Sequence, residues 1–114
     1  MTGYSFHPLA ETELVDAAKY YEARSTGLGH SFLAAVRHAI QQILAYPESS
    51  PVVRRGLRRI ALRRFPYSLI YAIEFGEIKI IAVMHQKRRP SYWKGRHGSK
   101  AGGSPPASPR NPGR

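Results

Sequence analysis

The chain has 114 residues, 18 Lys and Arg against 7 Asp and Glu, a formal net charge of +11 and no cysteine. Such a length fits one domain of about 100–150 residues with a modest core, and the lack of cysteine excludes disulfides, a thiol nucleophile, zinc-thiolate sites and thiol redox chemistry. No window reaches the roughly 18–20 consecutive apolar residues of a membrane span, and "MTGYSFHPLAETELVD" lacks a signal peptide's basic flank and apolar run, so the cytoplasm is the expected compartment.

Residues 3–7, "GYSFH", set Tyr4 and Phe6 between small or polar neighbours, the alternation of a short strand. Pro8 suits a first helical position and Glu11 and Glu13 fall in the first turn, favourable to the helix dipole. A helix over 8–25 then turns Ala10, Leu14, Ala17, Ala18 and Tyr21 inward and Glu13, Asp16, Lys19 and Glu22 outward. "STGLG" breaks it, its "GLG" reading as a linker. A second helix over 28–46 aligns Leu28, Phe32, Val36, Ile40 and Ile43, widened by Leu33 and Leu44, until Pro47 stops it. The short connection makes the pair an antiparallel helical hairpin.

After the loop "PESSPVV", "RRGLRRIALRRF" reads as a basic strand with Ile60 and Leu62 inward and Arg59 and Arg63 together on the other face. Phe65-Pro66 interrupts. "YSLIYAIEF" puts Tyr67, Leu69, Tyr71, Ile73 and Phe75 on one side at period two, and Gly76 makes a turn that Glu74 and Glu77 solvate. "EIKIIAVMH" returns with Ile78, Ile80, Ala82 and Met84 on one face and Ile81 and Val83 on the other, as in a central strand covered on both sides. The expected fold is α+β in the order β-α-α-β-β-β, a helical hairpin packed on a mainly antiparallel sheet. Residues 1–96 form the domain; "HGSKAGGSPPASPRNPGR" (97–114) reads as a disordered basic tail.

Charge divides along the chain. Residues 1–53 hold three Lys/Arg and five Asp/Glu; residues 54–114 hold fifteen against two, Glu74 and Glu77. The cations gather as Arg54, Arg55, Arg58, Arg59, Arg63 and Arg64, and as Lys87, Arg88, Arg89, Lys94 and Arg96. Folding the last three strands can merge the two runs into one patch. That patch is either a polyanion-binding surface, with Tyr92 and Trp93 as stacking platforms, or a solvated face that keeps the protein soluble, and the excess of cations favours the first. His85 ends the last strand. Its ordinary pKa of about 6.5 suits a general acid or base, and equally it is a strand-end histidine bonded to a neighbour or to solvent. Tyr20, Tyr21, Tyr67 and Tyr71 read as core aromatics with hydroxyls at the rim. His7, His30 and His38 lack partners at metal-ligand spacing, so no metal or cofactor is expected.

The ordered series Phe6-x-Pro8, "YYE" (20–22), "GLG" with Phe32, Pro47, "RFPYSLIY" (64–71) and His85-x-x-Arg88-x-Pro90-x-Tyr92-Trp93 resembles the RelE/ParE superfamily of toxins from type II toxin–antitoxin modules, over about residues 4–96. That resemblance implies the β-α-α-β-β-β fold and a cytoplasmic toxin held in a hetero-oligomer by an antitoxin whose acidic or amphipathic C-terminal segment wraps over hairpin and sheet. RelE-like members cut mRNA in the ribosomal A site; ParE-like members inhibit DNA gyrase with no catalytic activity of their own. Several of the ribonucleases carry an arginine three residues before the tyrosine of "L-[I/V]-Y". Here that residue is Ser68, with Arg63 or Arg64 as candidate substitutes in space, and "VMHQ" (83–86) is closer to ParE-like endings. The resemblance therefore implies a gyrase inhibitor whose target or nucleic-acid surface is His85, Arg88, Arg89, Tyr92 and Trp93, with Arg59, Arg63, Arg64 and Lys87 around it. The alternative is a ribonuclease in which His85 or Tyr92 handles protons and Arg63, Arg64, Arg88 and Arg89 hold phosphate. A nontoxic nucleic-acid-binding module is a third reading.

Overall fold

A computed structural model describes residues 3–88 and 92–96, leaving Arg89 and the tail at 97–114 outside the described residues. The elements are β1 (Tyr4–Phe6), α1 (Pro8–Arg24), α2 (Leu28–Ala45), β2 (Val52–Arg54), β3 (Leu57–Ala61), β4 (Tyr67–Glu74), β5 (Glu77–His85) and a 3-10 turn (Lys94–Arg96). They build one five-stranded sheet in the order β1-β5-β4-β3-β2, antiparallel except where β1 runs parallel to β5. Both helices pack on one face. β2 adds a short edge strand in a stretch whose sequence reads mostly as loop.

α1 begins where expected, and its cap is His7: the neutral imidazole Nδ1 accepts from Leu9 N at 3.0 Å, ahead of Pro8. Burial first, then the nearby charges of Arg96 and Lys79, holds the His7 pKa below its ordinary value. At the other end Glu22, expected to face solvent, reaches across the turn. Its carboxylate accepts from Gly27 N and Gly29 N, both at 2.9 Å, and those bonds lower its pKa. The "GLG" stretch is thus more than a linker. Gly27 takes φ 88°, and Gly29 is buried where the helices meet; a Cβ there would stand 2.5 Å from the Ala18 carbonyl oxygen.

The main core lies between helices and sheet and includes Ala17, Phe32, Val36, Ile40, Leu69, Tyr71 and Ile80. Tyr21, Phe32, Phe65 and Tyr67 form a cluster of mostly edge-on rings with centroids 5.0–6.2 Å apart. Burial raises the phenol pKa of Tyr21 and of Tyr67. Tyr20, by contrast, is exposed. Tyr71 Oη donates to Pro47 O at 2.7 Å, and Arg58 Nη1 donates to Glu48 O and Ser50 O, so both side chains fasten the α2–β2 loop.

A second core lies on the far face: Leu57, Ile70, Ala72, Ile81, Ala82, Met84 and Trp93. Its membership corrects the strict alternation expected of β5. Tyr71 pairs with Ile80 but Ile70 with Ala82, leaving Ile81 as a bulge. The extra residue reverses the parity of the rest of the strand. Ile78, Ile80 and Val83 therefore face the helices, while Ala82 and Met84 face away. The β4–β5 hairpin closes through Phe75 (φ 52°) and Gly76 (φ 79°), the positive-φ pair of a tight two-residue turn, with Phe75 fully exposed.

Beyond Phe6, no strand among the described residues pairs with β5 on its outer side, and side chains substitute for one. Glu13 Oε1 accepts from Val83 N at 2.9 Å, and Arg96 Nη1 donates to Ile81 O at 3.1 Å. The two side chains also bond each other, at 3.0 and 2.9 Å, across a mostly buried ion pair. Glu13 is thus half-buried rather than outward-facing, and it fastens the C-terminal 3-10 turn to α1 and β5. No described helix is long and apolar enough to cross a membrane.

Candidate target-binding surface

On the face away from the helices, Arg54 of β2, Arg59 of β3 and Arg88 after β5 converge around a groove of about 320 Å³. Its lining includes Ile70, Met84 and Trp93, and among the described residues no carboxylate lines it. Strand alternation places Arg59 here, on the same face as Leu57. Two of the three guanidiniums are held. Arg59 Nε donates to the buried Ser68 Oγ at 3.0 Å. Arg88 Cζ lies 4.1 Å from the centroid of the Tyr92 ring, which Arg96 also approaches at 5.1 Å.

Tyr92 is consequently a support for cations. Its hydroxyl is buried and makes no hydrogen bond of good geometry, although Glu13 stands near enough to act on it. Burial, then the charge and hydrogen bonding of Glu13, pushes its pKa up to about 12 against the opposing pull of Arg96 and Arg88. Trp93 is 4 % exposed and directs Nε1 at Met84 Sδ, 3.2 Å away. The expectation of a stacking platform fails for Trp93, because its ring is needed to cover the second core.

A second cleft, about 330 Å³, opens on the helix side between α1 and the end of β5, lined by Glu13, Asp16, Tyr20, Tyr67, His85 and Arg88 among others. The bulge delivers His85 to this face, where its ring meets Tyr67 edge-on at 5.0 Å. His85 Nδ1 accepts from Lys87 N at 2.9 Å, which leaves Nε2 as the nitrogen able to meet a partner. Arg88 lines both clefts.

The family model for the ParE toxin of the type II toxin–antitoxin system, parDE, matches residues 4–90. The chain belongs to the ParE toxin family. Among solved structures, it is similar to the chromosomal ParDE TA system from P. aeruginosa, at 20 % identity and a TM-score of 0.54 over 75 % of this chain and 95 % of that one. At that identity the likeness shows a shared fold. No curated protein matches the chain.

Within this ParE-family fold the two basic runs merge only in part. Arg59 and Arg88 meet in the groove, joined by Arg54, but Arg63 and Arg64 do not share the face of Arg59. They stand by α2, beside Ser31, Ala34, His38 and Phe65. β3 ends at Ala61, before both arginines, and Arg64 takes φ 70° where the chain turns toward β4. Neither stands at Ser68, where the neighbouring cation is Arg59. Lys87 is exposed at the end of β5. Among the described residues no group of three or more His, Asp or Glu could hold a metal. Sequence reasoning missed Ser68 as the residue that fixes Arg59, although both face assignments are available by counting alternate positions along β3 and β4.

Proposed function

We propose that this ParE-family toxin acts in the cytoplasm by inhibiting DNA gyrase, and that a cognate antitoxin with an acidic or amphipathic C-terminal segment neutralises it in a hetero-oligomer. The observation that carries the reading is the ParE family match over residues 4–90. The arginine groove supports it as a surface for gripping a target, with guanidiniums held in place before contact. Arg63 and Arg64 beside α2 suit the antitoxin, since an acidic segment laid along the hairpin would meet them. Burial of the Tyr92 hydroxyl, with a pKa pushed up to about 12, weighs against it as the proton carrier of the ribonuclease alternative. His85, with Nε2 open to the helix-side cleft, is the better placed of the two.

The test is a short induction in bacteria while incorporation of labelled thymidine and labelled amino acid is followed, then a supercoiling assay with purified gyrase. DNA synthesis is expected to fail first, and the purified chain to block supercoiling, with the block weakened by Arg88→Ala and relieved by the antitoxin. Protein synthesis failing first, with transcripts cut in the A site and protected by His85→Ala, overturns the gyrase reading.

A further inference from the structure

We propose that the helix-side cleft between α1 and the end of β5 binds a free amino acid, its ammonium group facing Asp16 and its carboxylate facing His85 and Arg88. This goes beyond gyrase inhibition and does not depend on it. The first observation is how charge divides between the walls. α1 contributes Glu13, Asp16 and Tyr20, spaced three and four residues apart on one face, and the opposite wall contributes Tyr67, His85 and Arg88. All six are exposed or half-buried, so a ligand can reach them. Glu13 is already occupied by Arg96 and Val83 N. Asp16 is not: among the described residues its carboxylate makes no hydrogen bond or ion pair, although Arg88 lines the same cleft. Opposite charges that share a cleft without touching leave a gap that a ligand carrying both charges fills.

The second observation is the polarity of the groups on offer. His85 Nδ1 accepts from Lys87 N, so the neutral ring carries its hydrogen on Nε2, which has no partner among the described residues. Arg88 lies flat against the Tyr92 ring at 4.1 Å, and among the described residues its guanidinium makes no hydrogen bond. His85 and Arg88 thus offer donors, which suit a carboxylate, and Asp16 offers acceptors, which suit an ammonium. A phosphate chain laid here would meet the Asp16 carboxylate, and a polyamine would meet Arg88. The third observation is size and lining. The rings of Tyr20 and Tyr67 provide apolar surface and faces that attract an ammonium. The volume of about 330 Å³ is at the small end of the range for ligand sites, about 300–1,000 Å³.

The experiment follows the backbone amide signals of the isotope-labelled full chain by NMR as L-phenylalanine is added to about 20 mM. With about twelve non-hydrogen atoms at ordinary ligand efficiency, a Kd of about 1–5 mM is expected, with shifts centred on Ala17, Val83 and His85. Phenethylamine and phenylpropionate, each keeping one of the two charges, should bind about tenfold more weakly. N-acetylphenylalanine amide, the same ring as it stands inside a peptide, should not bind. Asp16→Ala, at an exposed helical position that alanine suits, should abolish the preference for phenylalanine over phenylpropionate. Arg88→Gln should abolish the preference over phenethylamine. Glu11→Ala, which removes one acid from α1 outside the cleft, should change neither preference. Thermal unfolding shows that each variant remains folded, and a loss of structure alone would weaken all ligands together rather than reorder them. No saturable shift at Ala17, Val83 or His85 by about 20 mM overturns the proposal. So does tightest binding by phenylpropionate, which would mean a site for anions alone, or an unchanged preference in Asp16→Ala.

Discussion

Replacing Glu13 by Ala should be among the most damaging single changes in this chain. The carboxylate accepts from Val83 N and receives two bonds from Arg96, which also donates to the carbonyl of Ile81. Side-chain exposures of 18 % for Glu13 and 12 % for Arg96 place the pair mostly out of water. Removing one partner of a buried ion pair costs about 3–5 kcal/mol, because the other charge is left behind. The stranded Val83 N–H, on a residue only 2 % exposed, accounts for about 1–3 kcal/mol of that figure. The expected loss is therefore about 3–5 kcal/mol, a large part of a total of about 5–15 kcal/mol. Urea unfolding of purified protein measures it. Glu13→Gln, which keeps an acceptor for Val83 N, should lose less. Glu13→Leu/Arg96→Met should also lose less than Glu13→Ala, since apolar replacement strands neither charge. If Glu13→Ala costs under about 1 kcal/mol, the range of exposed ion pairs, the reasoning fails.

Gly29→Ala should destabilise by about 1–3 kcal/mol in the same assay, because the new methyl meets the Ala18 carbonyl oxygen at 2.5 Å and backbone must shift. A neutral result would mean that the helices separate easily. Phe75→Asn should stabilise by about 1 kcal/mol, since Phe75 holds φ 52° while making no buried contact and Asn tolerates that region at lower cost; a lower urea midpoint refutes this. His7 caps α1 only when neutral, and its folded-state pKa lies below the unfolded value. The stability it supplies is thus complete above about pH 6.5 and is lost as pH falls through the folded-state pKa. His7→Ser, which caps without titrating, should show a smaller fall in urea midpoint between about pH 7.5 and 5.5; an unchanged fall removes His7 as the cause.

The helices and long strands were legible because each carries its apolar residues at a clean period, as Phe32, Val36, Ile40 and Ile43 do on α2. The ParE family was legible through spaced residues along the same elements. What escaped was anything decided by contact between distant parts of the chain. Glu13 and Glu22 have the pattern of exposed helix residues, and only the fold brings backbone N–H groups to them. Trp93 looks like a surface aromatic among cations until the second core is seen to need covering. In the candidate site, Arg59 and Arg88 are recognisable as cations, but which arginines share their face depends on where β3 ends and on where β2 lies. Period-two counting fails at Ile81 because one unpaired residue is invisible in composition.

That unpaired residue also makes the family fold unequal in its response to length variation. Along β5, losing any one residue between Ile78 and Ile80, or between Ala82 and Met84, would slide a run of cross-strand partners by one place and turn core side chains toward water. Loss of Ile81 alone would leave every β4–β5 pair as it is and convert the bulge to regular ladder, at the expense of one buried side chain and the carbonyl held by Arg96. Among sequences sharing this sheet, single-residue gaps in the last strand should therefore gather at this one position. A gap there would preserve the side on which His85 emerges, and with it the division between the helix-side cleft and the arginine groove.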